Sequence, residues 1–180
     1  MIDFNKFKIE LKEATKVSFL KISNTQNLYA FGLLSDENCQ TILPVANTLD
    51  YLQKSREDYD DLDSMLCKFE PDEWDFDLLN NETLFKPLNK ILSEEDENNE
   101  KSLKEFELFQ NKFYDTCIQV LIELKEENFF LNNFNKDVFL IFSVSEYEFE
   151  INKLKEMIKE LNTENYTNEY LDWISTWENE

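Results

Sequence analysis

Ten carboxylates fall between Glu57 and Asp77 against a single base, Lys68. They are Glu57, Asp58, Asp60, Asp61, Asp63, Glu70, Asp72, Glu73, Asp75 and Asp77, interleaved with Tyr59, Phe69, Trp74 and Phe76. Three kinds of chemistry use carboxylates at this density. The first is cation binding. Asp58, Asp60 and Asp61 offer oxygen ligands, but a calcium loop also needs a glycine at its sharp turn and a bidentate glutamate at a fixed offset. Both are missing, so no metal is expected. The second is acid/base hydrolysis by a carboxylate pair, which needs no histidine; an acidic chain offers many such pairs, and spacing selects none. The third is recognition of a basic partner, in which carboxylates steer and pair with lysine or arginine while Tyr and Trp supply contact area. On that reading the candidate partner-binding residues are Asp58, Tyr59, Asp61, Asp63, Asp72, Glu73, Trp74 and Asp75. The competing reading makes the aromatics core residues and the acids a solvated face. Like charge at this density costs stability through repulsion, which favours a working surface.

Composition removes most other chemistry. The chain has no histidine, which excludes Ser-His-Asp and Cys-His catalysis and His-containing zinc sites. Its one glycine, Gly32, excludes glycine-rich phosphate loops and the dinucleotide fingerprint. No cofactor and no catalytic residue are expected. Cys39, Cys67 and Cys117 show no CxxC spacing and read as reduced thiols in or near the core. With 39 acids, 18 bases and Arg56 as the sole arginine, the net charge is −21. Such a surface repels nucleic acid and anionic lipid and attracts basic proteins. The opening MIDFNKFKIE carries no apolar signal region, and no stretch reaches the roughly 18 apolar residues of a membrane span. A cytoplasmic location is expected.

The elements that must position these residues follow from periodicity. Residues 3–23 read as a helix capped by Asp3, with Phe4, Phe7, Leu11, Ala14, Val17 and Leu20 as its inner stripe. Leu28–Leu34 and Gln40–Ala46 read as strands of a hairpin, with Pro44 at an edge or bulge. A second helix is expected from Asn47 or Thr48 to about Cys67, with Leu49, Leu52, Tyr59, Leu62 and Leu66 inward. A turn at Pro71 and a short helix from Thr83 to Leu92 precede an acidic exposed loop at 93–101. The longest helix covers Ser102–Glu127, with Leu103, Phe106, Phe109, Phe113, Cys117, Val120, Leu121 and Leu124 inward. An asparagine-rich turn, 128–136, leads to Val138–Val144, an apolar run suited to a central strand. Glu146, Glu148 and Glu150 then sit where that strand meets the helix 146–162, and 165–177 forms the last helix. With 180 residues, residues 1–180 form a single α+β domain: a small antiparallel or mixed sheet, covered mainly on one face by helices, with a long central helix.

Three strings carry a resemblance. Leu28-Tyr29-Ala30-Phe31, then Pro44 with Ala46-Asn47-Thr48, then Phe69-Glu70-Pro71-Asp72-Glu73-Trp74, together with the passage VFLIFSVSEYEFEI, resemble a bacterial family of unknown function marked by YAF, P.ANT and P.EW motifs. The resemblance spans nearly the whole chain. It implies no enzyme activity, and by analogy with related small acidic domains it implies an immunity protein beside a polymorphic toxin. Charge and resemblance thus converge on an acidic cytosolic binding protein whose partner is a basic protein, a toxin domain, and not nucleic acid or membrane. A carboxylate-only hydrolase and an acidic interaction domain without a toxin partner are the alternatives.

Overall fold

The computed structural model describes residues 2–24, 27–57, 63–75, 82–98, 101–147 and 149–177. Helix α1, Phe4–Ser23, begins where Asp3 Oδ1 accepts from the amides of Asn5 and Lys6, at 3.0 and 3.2 Å. Its buried stripe is Phe7, Leu11, Ala14, Thr15, Ser18, Phe19 and Ile22. Val17 and Leu20, expected inside, are 40% and 37% exposed. Nine residues at about 100° each carry Leu20 to the opposite side of the helix from Leu11. Steps of four, not repeated steps of three, keep a side chain facing the core.

Strand β1, Leu28–Asp36, pairs antiparallel with β2, Ile42–Thr48, and parallel with β3, Phe139–Ser145. The sheet is therefore mixed, in the order β2-β1-β3, within an α+β domain. Pro44 lies on a lateral strand, as its missing N–H requires. The run Val138–Val144 is a strand but not the central one; β1 holds that place. Apolarity reports burial, and β3 is buried with no second strand beside it among the described residues. Asn162 stands in for that strand: its Oδ1 accepts from the Leu140 amide at 2.7 Å and its Nδ2 donates to the Leu140 carbonyl at 2.8 Å. At Leu140 both edge-facing backbone groups are thus satisfied by one buried amide. Asn162→Ala would strand both groups and is expected to cost roughly 2–4 kcal/mol, read by urea denaturation. A cost below about 0.5 kcal/mol would contradict this role.

Helices cover both faces of the sheet, not mainly one. On one face Phe31 meets Phe19 of α1 at 5.3 Å and Phe142 meets Tyr114 of α5 (Leu103–Glu126) at 5.4 Å. On the other, Phe139 meets Phe69 of α3 (Asp63–Phe69) at 4.9 Å and Tyr170 of α8 (Glu164–Ile174) at 5.8 Å. Successive β3 residues point to opposite faces, so a run apolar at nearly every position needs cover on both.

The expected helix from Thr48 to Cys67 is not continuous. Thr48 caps α2, Leu49–Arg56, by accepting from the Tyr51 amide at 3.1 Å, and α3 starts only at Asp63. Helix α2 closes at Glu57, whose amide donates to the Lys54 and Ser55 carbonyls, and residues 58–62 lie outside the described residues. Leu52 is buried, whereas Leu49 and Leu66 are exposed; Tyr59 and Leu62 lie outside the described residues.

The acidic loop expected at 93–101 is helical as far as Asn98, because α4 spans Glu82–Asn98. Glutamate is a good helix former and needs no apolar neighbour to continue a helix already started. Glu95 is buried, with Lys101 Nζ 3.7 Å away. The long helix α5 is capped by a Ser102/Glu105 box; Leu103, expected inside, is 84% exposed, Phe106 and Phe109 pack half-buried against the core, and fully buried side chains begin at Phe113. The asparagine-rich turn 128–136 contains a short helix, α6, Phe129–Phe134, flanked by Asn128 and Asn135, both left-handed at φ 54°. Asparagine is the non-glycine residue that tolerates this conformation best. Helix α7, Ile151–Leu161, then starts at Glu150, whose carboxylate accepts from the Lys153 amide. Cys39, Cys67 and Cys117 are buried and none is in a disulfide.

Candidate functional site: a cleft behind an acidic turn

Tyr29, Asn47 and Thr48, from the first two strings, meet the end of α3 in one buried network. Tyr29 Oη donates to the Lys68 carbonyl at 2.9 Å, while Asn47 Nδ2 donates to Tyr29 Oη at 3.1 Å and to the Cys67 carbonyl at 3.2 Å. Asn47 Oδ1 accepts from the Thr48 amide at 2.9 Å. The end of α3 is thereby fastened to the hairpin through groups that burial makes costly to leave unpaired. Burial also pushes the Tyr29 phenol well above its usual range.

From this anchor the chain leaves α3. Phe69, fully buried, packs within 5.6 Å of the rings of Phe139, Tyr170 and Trp173. Glu70 turns to extended geometry, and Pro71 opens a single 3₁₀ turn, Pro71–Glu73. Pro71 and Trp74 are buried and hold the turn at both ends. Asp72 Oδ1 accepts from the Ser145 hydroxyl at 3.1 Å, which ties the turn to the end of β3.

Behind the turn lies a cleft of about 640 Å³, walled by Leu66, Phe142, Tyr147, Phe149, Tyr170 and Trp177, with Glu70 among its lining residues. Glu70 is the only carboxylate among the described lining residues, and no lysine or arginine lines it. Burial, then the charges of Asp72 and Glu73, raises the Glu70 carboxyl from its ordinary 4.5 to about 7. Tyr170 is raised as well, by burial first and then by the charge of Glu70, so the two groups lie within electrostatic reach of each other. Tyr147 and Trp177 are 39% and 44% exposed and form an aromatic lip.

The structure treats the expected binding residues unequally. Asp72 and Glu73 are exposed on the turn, and Asp75 follows them half-buried. Trp74 is 2% exposed, and its Nε1 has no hydrogen-bond partner among the described residues. It packs in the core, as the competing reading has it. Asp63 opens α3, while its side chain, with Asp58, Tyr59 and Asp61, lies outside the described residues. Sequence reasoning passed over Glu70, whose signal was its place between Phe69 and Pro71, where a helix must end. It also passed over Tyr147, Phe149, Tyr170 and Trp177, which come from a loop and a helix too distant in sequence to be grouped.

Among the described residues, no group of three histidine, cysteine or acidic side chains could hold a metal ion, and no helix is long and apolar enough to cross a membrane. Comparison with curated proteins and with solved structures finds no match. The family comparison does: residues 11–163, from α1 through the acidic turn and β3 to the end of α7, match a domain of unknown function, DUF4303. The chain belongs to the DUF4303 family, and the α8 wall of the cleft lies beyond the matched span.

Proposed function

We propose that this chain is an acidic binding protein, an immunity protein that neutralises a cognate bacterial toxin in the cytoplasm by covering a basic surface. The observation that carries the reading is the acidic turn. Glu70, Asp72 and Glu73 are held close enough to repel one another, beside a cleft that no described lysine or arginine lines. An arrangement that raises the free energy of the unbound protein is relieved when a partner brings positive charge. The net charge of −21 extends the same field over the molecule and disfavours nucleic acid and anionic membranes as partners. Hydrolysis is the weaker reading, because a carboxylate-only hydrolase needs two facing carboxylates and Glu70 is the only acid among the described lining residues.

The test uses the cognate toxin domain, captured from the native host and then purified. Reversing both exposed acids, Asp72→Lys with Glu73→Lys, is expected to lower the association rate about tenfold while the circular dichroism spectrum stays that of the parent. An unchanged rate would move the interface elsewhere.

A further inference from the structure

We propose that the cleft behind the acidic turn receives one arginine side chain of the basic partner, with Glu70 pairing its guanidinium and the aromatic lip covering its stem. This inference rests on the binding reading and gives it a specific contact. The cleft combines features that seldom coincide: a carboxylate with no cation beside it among the described lining residues, walls that are otherwise mostly apolar, and two half-exposed rings at the mouth. A carboxylate in such a place loses hydration and gains nothing until a cation enters. Burial, with the charges of Asp72 and Glu73, pushes the Glu70 carboxyl up in the same sense.

The walls select the cation. Guanidinium is planar, weakly hydrated, stacks on aromatic faces and pairs with a carboxylate through two parallel hydrogen bonds. Ammonium is more strongly hydrated and would lose more on entering an aromatic cleft. Tyr147 and Phe149 meet edge-to-face at 5.3 Å, and Trp177 packs on Trp173 at 4.9 Å, so the lip is formed by supported rings. A cleft of about 640 Å³ has room for one arginine with part of its flanking backbone. Asp72 and Glu73, outside it, supply the field that draws the side chain in.

The inference is tested without the partner, by NMR titration with N-acetyl-arginine amide at about pH 8, where Glu70 is ionised. Shifts are expected to centre on the Trp177 indole, Tyr147 and Ser143. N-acetyl-citrulline amide, nearly the same shape without the charge, is expected to bind at least tenfold more weakly. Glu70→Gln is expected to lose tenfold or more in arginine affinity, and Trp177→Ala, at the exposed lip, to weaken it with the fold intact. Equal binding of citrulline, full binding by Glu70→Gln, or shifts confined to another surface would each overturn the proposal. The two readings fail separately. If the purified toxin binds parent and Glu70→Gln equally, with salt-dependent rates, the arginine contact is wrong and the binding reading stands. If arginine occupies the cleft while the toxin shows no salt dependence, the binding reading falls and the cleft assignment survives.

Discussion

Replacing Gly32 by alanine is expected to remove about 3 kcal/mol or more of stability, a large share of the 5–15 kcal/mol typical of a domain. Gly32 sits in the middle of the central strand, opposite Val45 on β2 and Ile141 on β3. A Cβ at this position would lie 2.4 Å from the Ile141 carbonyl oxygen and 3.0 Å from Ile141 Cγ2. The nearest atom is backbone within the parallel ladder, so it cannot rotate away as a flexible side chain could. Relief requires β1 and β3 to separate, which would loosen pairing along Ala30–Asp36 and shift Ile141, itself a wall of the cleft. The chain's single glycine is therefore explained by close approach of two strands and not by a turn. Urea denaturation of parent and variant reads the effect; a loss below about 1 kcal/mol would mean that the strands part easily.

Glu70→Gln is expected to stabilise the free protein above neutral pH and to leave it unchanged in acid. The Glu70 carboxyl titrates at about 7 when folded, against an ordinary 4.5. The folded state thus holds its proton over a range in which the unfolded chain has released it. Stability falls as pH rises from about 4.5 to 7 and levels off above, the reverse of a salt-bridged carboxylate. At about 1.4 kcal/mol per unit, the gain for glutamine above pH 7 is on the order of 3 kcal/mol. The groups facing Glu70 account for the sign. Burial acts first, Asp72 and Glu73 add repulsion, and Tyr170, which also lines the cleft, carries no charge to offer. Denaturation at a series of pH values checks this. Parallel curves for parent and variant from pH 4 to 8 would contradict it.

Much of the fold was legible because periodicity reports burial directly. The cap at Asp3, the hairpin and the long helix beginning at Ser102 all stood where local signals put them. Neighbour relations were less legible. The run Val138–Val144 announces a strand with both faces covered, yet nothing local says that its open edge would be closed by a side chain arriving from Asn162. Composition misled where polarity was equated with a loop, since Ser93–Asn98 extends a helix that began eleven residues earlier. At the site, the sequence pointed to the acidic segment but did not single out Glu70. Trp74 carried the aromatic signal of an anchor and proved to be packing, while Glu70 looked like one acid among ten. What distinguishes Glu70 is a cavity assembled from β3, the loop after it and α8, which exists only once the chain has folded.

The central claim, that an acidic surface recognises a basic partner, is tested most directly by the association rate of the purified toxin domain at increasing salt. Screening lengths shrink from about 10 Å at 0.1 M to about 3 Å at 1 M ionic strength. The account predicts that the rate falls tenfold or more across that range for the parent protein, and much less for the Asp72→Lys, Glu73→Lys variant. A rate that is flat with salt in the parent would contradict it.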